Sequence, residues 1–90
     1  MILLLAGELD MASADNLAAR LTEAAAASED VVVDLSELAC MDSSGLRQLL
    51  RAAADSQRDG WRLSIRRPAP GVRRVMEVSG AAPMLPLAGE

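Results

Sequence analysis

Val31-Val32-Val33-Asp34-Leu35-Ser36-Glu37-Leu38-Ala39-Cys40-Met41-Asp42-Ser43-Ser44-Gly45-Leu46 is the stretch on which the reading of this 90-residue chain turns. Val31 to Leu35 is short, β-branched and unalternated, the pattern of a strand covered on both faces in a parallel sheet. Ser36 to Met41 reads as a connecting segment. Leu46, Leu49, Leu50, Ala53 and Ala54 then recur at helical spacing, which predicts a helix from Ser44 to Arg58 with Gly60 as its stop. Asp42-Ser43-Ser44-Gly45 therefore lies between a strand and an amphipathic helix. This puts Ser43 at or next to the helix N-cap, where unpaired backbone N–H groups converge. Gly45 allows close backbone approach there. A phosphate on such a hydroxyl is tolerated, because the donors and the helix dipole both favour negative charge. Local chemistry alone leaves a plainer role open, with Asp42 or Ser43 serving only as a cap. A nucleophile elbow is the weakest reading: the pattern is not Gly-x-Ser-x-Gly, and the chain has no His to act as base.

Working outward, Ile2 to Ala6 is a continuous apolar run ended by Gly7, a buried strand. Ser13 is placed to cap a helix from Ala14 to Ala27, with Asp15 in its first turn and Leu17, Ala18, Leu21, Ala24 and Ala25 on one face. Ser28-Glu29-Asp30 breaks that pattern. Trp61-Arg62-Leu63-Ser64-Ile65 alternates and reads as a half-buried strand. Arg66 to Gly71 is a loop, and a short helix follows over 72–78 with Val72, Val75 and Met76 inward. Met84 to Leu87 suggests a last edge strand, because Pro86 has no N–H to give a central ladder. Strand and helix alternate throughout. The expected fold class is α/β: one domain over 1–90, with a small, mostly parallel sheet of about four strands, right-handed crossovers and helices packed against it.

Composition narrows the chemistry. Lacking His, the chain has no Ser-His-Asp or Cys-His site. One Cys excludes an intrachain disulfide, an iron–sulfur cluster and a four-cysteine zinc site. All nine basic residues are Arg, so no lysine serves a Schiff base or a P-loop. No catalytic residue, metal ligand or cofactor is expected. The net charge of −4 opposes nucleic-acid binding. It is unevenly spread: residues 1–45 carry one Arg against nine acids, and residues 46–90 carry eight Arg against four acids. That asymmetry fits either solvated surface or separate acidic and basic contact faces. Ile2 to Ala6 is too short to span a bilayer and has no basic flank, so a membrane is not an expected partner. A free Cys40, expected as a small buried apolar residue, suits a reducing compartment, and the cytoplasm is the expected location. A core of Leu, Val and Ala without Phe or Tyr points to modest stability.

Four segments in order resemble one family. They are Gly7-Glu8-Leu9-Asp10, Val33-Asp34-Leu35-Ser36, Met41-Asp42-Ser43-Ser44-Gly45-Leu46 and Pro70-Gly71-Val72-Arg73-Arg74-Val75-Met76-Glu77-Val78-Ser79-Gly80. Together they resemble the STAS domain of anti-sigma-factor antagonists across nearly the whole chain. The resemblance implies a non-enzymatic regulator that works by partner switching. The first Ser after the Asp, here Ser43, would be phosphorylated by an anti-sigma factor that is a serine kinase. The unphosphorylated form would bind that kinase and free sigma for transcription, and a metal-dependent serine phosphatase would reset it. Asp10 and Asp42 match positions around the acceptor.

Ser44 is the alternative acceptor, with capping or packing as its plainer role. Arg47, Gln48 and Arg51 are expected on the outward face of the helix, where they would meet either solvent or the partner. With Asp10, Asp42, Ser44 and Gly45 they make up the expected partner-binding set. Arg66, Arg67, Arg73 and Arg74 form a basic patch with no interleaved aromatics to stack bases. Trp61 is expected to cover the sheet edge. The family's usual first strand has no counterpart before Ile2, so an edge of the sheet is expected to be exposed, with a homodimer through it as the consequence. A rival reading within the resemblance is a STAS subunit that stabilises an ABC-transporter ATPase in lipid trafficking; the intact Asp42-Ser43-Ser44-Gly45 favours the antagonist.

Overall fold

A computed structural model describes residues 1–88. The chain runs through β1 (Ile2–Leu9), α1 (Met11–Ala27), β2 (Asp30–Met41), α2 (Ser43–Asp59), β3 (Arg62–Arg66) and α3 (Pro70–Val78), then a 3-10 turn over Ala82–Met84. The three strands form one parallel sheet in the order β1-β2-β3. Parallel neighbours need crossovers, and α1 and α2 supply them. This is the α/β architecture expected, with one strand fewer. Met84 to Leu87 is not a strand: Leu87 makes a single parallel bridge to Ile65, and the residues before it turn through the 3-10 segment. Pro83 and Pro86 each lack a donor, so no ladder can extend there.

The register explains the core. Leu3, Val33 and Ile65 sit side by side, as do Val31 and Leu63, and all are buried on one face with Leu5 and Leu35. Leu17, Leu21 and Ala24 of α1, Leu46 and Leu49 of α2, and Val72 and Met76 of α3 complete the cluster. The other face is open. Ile2 and Leu4 are exposed and Val32, Asp34 and Ser64 only half-buried. β2 is therefore covered on one face, not both as its unalternated sequence suggests. Val32 is apolar without being core.

All three helices start earlier than expected, α2 by the one residue Ser43 and the other two by more. α1 is capped by Asp10, not Ser13: the Asp10 carboxylate accepts from the N–H of Ala12 at 3.0 Å and of Ser13 at 3.1 Å, while Ser13 Oγ accepts from the Asp10 N–H at 2.9 Å. This reciprocal capping box moves the helix start back to Met11 and leaves Asp15 beyond the first turn. α3 starts at Pro70, whose fixed φ and missing N–H suit a first helical position. Gly60, at φ 81°, closes α2 in the left-handed conformation as expected.

The largest difference lies in Ser36 to Met41, which is strand rather than connection. β2 continues beside β1, with Ala6 opposite Glu37, Gly7 opposite Leu38, Glu8 opposite Cys40 and Leu9 opposite Met41. Register shifts fall between Leu4 and Ala6 and between Gly7 and Glu8. They let Leu38 and Met41, three apart, both point inward, which breaks the two-residue period by which a strand is recognised. For the same reason β1 runs past Gly7, at φ 79°, to Leu9.

Candidate functional site

The carboxyl ends of β1 and β2 stop level with each other, and a helix leaves each one. The Asp42 N–H donates to the Leu9 carbonyl at 3.0 Å, which ties the start of α2 to the end of β1. Asp42 caps α2: its carboxylate accepts from the Ser44 N–H at 2.8 Å and the Gly45 N–H at 3.3 Å. Ser43 is thus the first residue inside the helix, one place past the cap, and it is exposed. Ser44 is half-buried.

Gly45 is buried against β1. A Cβ there would run into Cγ of Leu9 and lie 2.7 Å from its Cδ2 and 3.2 Å from its Cβ. Only a glycine lets α2 sit this close to the end of β1, which leads directly into Asp10. The expected close approach is present, and its partner is Leu9.

Around Ser43 the charge is negative. Asp10 and Asp42 are the two caps, and Glu8 lies opposite Cys40 in the register. Cys40 reports their field. Its side chain is exposed, contrary to expectation, because the second register shift turns Ala39 and Cys40 both outward. The thiol is held above its ordinary pKa, first by the desolvation its neighbours impose and then by the charges of Glu8, Asp10 and Asp42 and a hydrogen bond with Glu8. A raised pKa leaves less thiolate at neutral pH. Cys40 should therefore be alkylated by iodoacetamide at pH 7.5 more slowly than a cysteine in an unstructured peptide. Glu8→Gln should speed it, since one of the opposing charges is removed. A rate equal to the peptide's would show that the carboxylates do not act on this spot.

The cap itself has a measurable weight. Asp42→Ala removes both bonds to the helix start and should cost about 0.5–2 kcal/mol in chemical denaturation, with Asp42→Asn recovering most of it. An unchanged midpoint for Asp42→Ala would mean that the cap contributes nothing.

Along α2, Ser43, Arg47 and Arg51 follow at four-residue intervals and are all exposed, so they form one stripe. Ser44 and Gln48 form a neighbouring, half-buried row. Gln48 and Arg51 also line a groove of about 760 Å³ between α1 and α2, whose other walls include Ala18, Thr22 and Trp61. Of the expected partner-binding set, the fold gathers Asp10, Asp42, Ser44 and Gly45 at one end of α2 with Ser43, and Arg47, Gln48 and Arg51 extend from it. Trp61 is half-buried against the core, at the end of this groove as well as beside β3. Nothing in its local sequence signals the groove, which exists only once α1 and α2 pack. Arg66, Arg67 and Arg74 are exposed and Arg73 is half-buried; they belong to the β3–α3 region. Among the described residues no cluster of His, Cys, Asp or Glu could hold a metal ion, and no helix is long and apolar enough to cross a membrane.

Among solved structures, the chain is similar to the anti-sigma factor antagonist SpoIIAA in its unphosphorylated form, with 28% identity and a TM-score of 0.79 over 99% of this chain and 79% of that one. It is similar to the Bacillus cell fate determinant SpoIIAA in the phosphorylated form, with 27% identity and a TM-score of 0.72 over 99% and 82%. An anti-sigma factor antagonist from Mycobacterium paratuberculosis shares the fold at 23% identity, with a TM-score of 0.82 over 99% and 76%. No curated protein matches the chain. The family model STAS_2, described as "Mlab, STAS domain", matches residues 1–86. With three parallel strands, two helices starting level at their carboxyl ends, and that match over nearly its whole length, the chain belongs to the STAS_2 family.

Proposed function

We propose that this protein is an anti-sigma factor antagonist, a non-enzymatic regulator whose partner changes when Ser43 is phosphorylated. The observation that carries the reading is the exposed Ser43 at the first position of α2, next to the capping Asp42 and at the sheet end where Asp10 caps α1. Similarity to SpoIIAA in unphosphorylated and phosphorylated forms supports it. The unphosphorylated protein binds an anti-sigma factor that is also a serine kinase, and a metal-dependent serine phosphatase restores it. Such a cycle runs in the cytoplasm.

The physics favours a local switch. A phosphate brings about −1.5 to −2 charges. The start of α2 offers a partly positive end, so the helix has no reason to melt. Asp42, Asp10 and Glu8 oppose the new charge, and so does any acidic surface of a partner fitted to the bare hydroxyl. The contact surface then includes Asp10, Asp42, Ser44 and the start of α2 at Gly45, with Arg47, Gln48 and Arg51 along the helix. The test is incubation with the cognate anti-sigma kinase and ATP, followed by mass mapping. One phosphate on Ser43 supports the reading, whereas modification at Ser44 alone, or none, overturns it.

A second reading is a STAS subunit that stabilises an ABC-transporter ATPase in lipid trafficking. It stands because the matching family model is described as Mlab rather than by sigma regulation. A pull-down from the native host separates the two: an anti-sigma kinase supports the first, a transporter ATPase the second.

A further inference from the structure

The two outer strands of the sheet end differently. Outside β3, Leu87 makes its bridge, the Ile65 N–H donates to the Pro86 carbonyl at 2.9 Å and the Ala88 N–H donates to the Ile65 carbonyl at 2.9 Å. Outside β1, no described residue pairs. The Val32 N–H donates to the Met1 carbonyl at 2.8 Å, so the backbone groups of Met1 face β2. Strand alternation then turns those of Leu3 the same way and those of Ile2 and Leu4 outward. The same two residues leave their side chains on the open face, Ile2 68% and Leu4 48% exposed. Edge strands are normally blunted by charge, proline or a bulge. Ile2 to Ala6 has no charge and no proline, and the register shift begins only after Leu4.

We propose that β1 pairs with β1 of a second copy, antiparallel, about a two-fold axis at Leu3. This register sets Ile2 opposite Leu4 of the second copy, twice. The outward backbone groups of each such pair exchange both N–H···O=C bonds, making four in all. The four exposed side chains then lie in cross-strand contact, covering one another. Only Ile2 to Leu4 takes part, so the shift after Leu4 does not interfere. Charge permits it too. The outward rows are Ile2–Val32–Ser64 and Leu4–Asp34–Arg66, and in the second the one acid stands beside an arginine. Joining the copies continues one row into the other with no like charges facing. The pairing is independent of phosphorylation and of the function proposed above.

Sedimentation equilibrium of the full chain tests it, from roughly 10 µM to about 1 mM because so short a contact belongs with weak interfaces. The wild type should show a reversible monomer–dimer equilibrium. Leu4→Lys, which sets two lysines against the opposite strand, should weaken it at least about tenfold. Val78→Lys, at another exposed apolar position, should leave it unchanged. A wild type that stays monomeric overturns the proposal, as does a dimer that survives Leu4→Lys or is lost in Val78→Lys. Hydrogen exchange of the wild type guards against a Leu4→Lys chain that fails to fold. The Leu4 amide should be protected at high concentration and not at low; equal exchange at both overturns the pairing.

Discussion

Ser43→Asp is expected to lower affinity for the anti-sigma kinase by about 10² to 10³-fold. The substitution puts a full negative charge at the exposed first position of α2, where a partner fitted to the bare hydroxyl and to the neighbouring cap Asp42 must face it. A like charge of the partner held about 4 Å from it across the contact would interact by roughly 4 kcal/mol at an effective dielectric of about 20. Each 1.4 kcal/mol is about a factor of ten in affinity, so losing about 3–4 kcal/mol at the contact gives the stated range. The fold should change little, since the favourable helix start, about 0.3–1 kcal/mol, works against the exposed repulsion from Asp42. Affinity and stability are therefore expected to part: weaker binding by calorimetry, with a nearly unchanged melting temperature. Ser43→Ala should bind like the wild type and take up no phosphate. Equal affinity of wild type and Ser43→Asp for the cognate kinase would remove the electrostatic switch.

Gly45→Ala is the second large effect, and it acts on the fold. The added methyl would overlap Leu9, whose side chain is buried and has nowhere to swing. Overpacking of this kind costs about 1–3 kcal/mol. The better helix propensity of alanine offsets at most about 1 kcal/mol of that. With the full offset the remainder, up to about 2 kcal/mol, corresponds to a drop of up to roughly 15 °C in melting temperature for a domain of this size. A double-mutant cycle identifies the cause. Leu9→Ala alone should cost about 2–5 kcal/mol as a buried truncation. Combined with Gly45→Ala it should cost at least about 1 kcal/mol less than the two separate losses together, because the methyl enters the space that Leu9 vacates. Strict additivity would mean that Gly45 matters for some reason other than this contact.

Much of this architecture was legible from residue order. Val31 to Leu35 marked β2, the leucines from Leu46 marked the buried side of α2, and Asp42-Ser43-Ser44-Gly45 marked the start of that helix. What stayed hidden shares a cause: long-range pairing overrode a local signal. Leu38 and Met41 are core residues of β2, but a spacing of three resembles a loop unless the neighbouring strand's register is known. Cys40 looked buried by residue type and lies exposed because of the same irregularity. The resemblance places Asp10 near the acceptor, but the apolar period of α1 begins after Ser13 and so points to Ser13, not Asp10, as the cap. Ser13 takes part all the same, as the other half of the capping box. Trp61 and Gln48 face a groove that no single segment encodes.

The paired register shifts also set an alignment. Ile2 lies opposite Val32, and a regular ladder from there would bring Leu9 opposite Ala39. Leu9 instead meets Met41, so β2 gains two residues on β1 over this span. At about 3.3 Å per residue this offset is worth roughly 6–7 Å. It acts as a vernier: two strands of unequal length finish flush, and the helices beyond them begin side by side. Without the offset every element would survive, but Asp42 would overshoot Asp10 by two residues along the sheet, and the two capping carboxylates would no longer form one electrostatic neighbourhood.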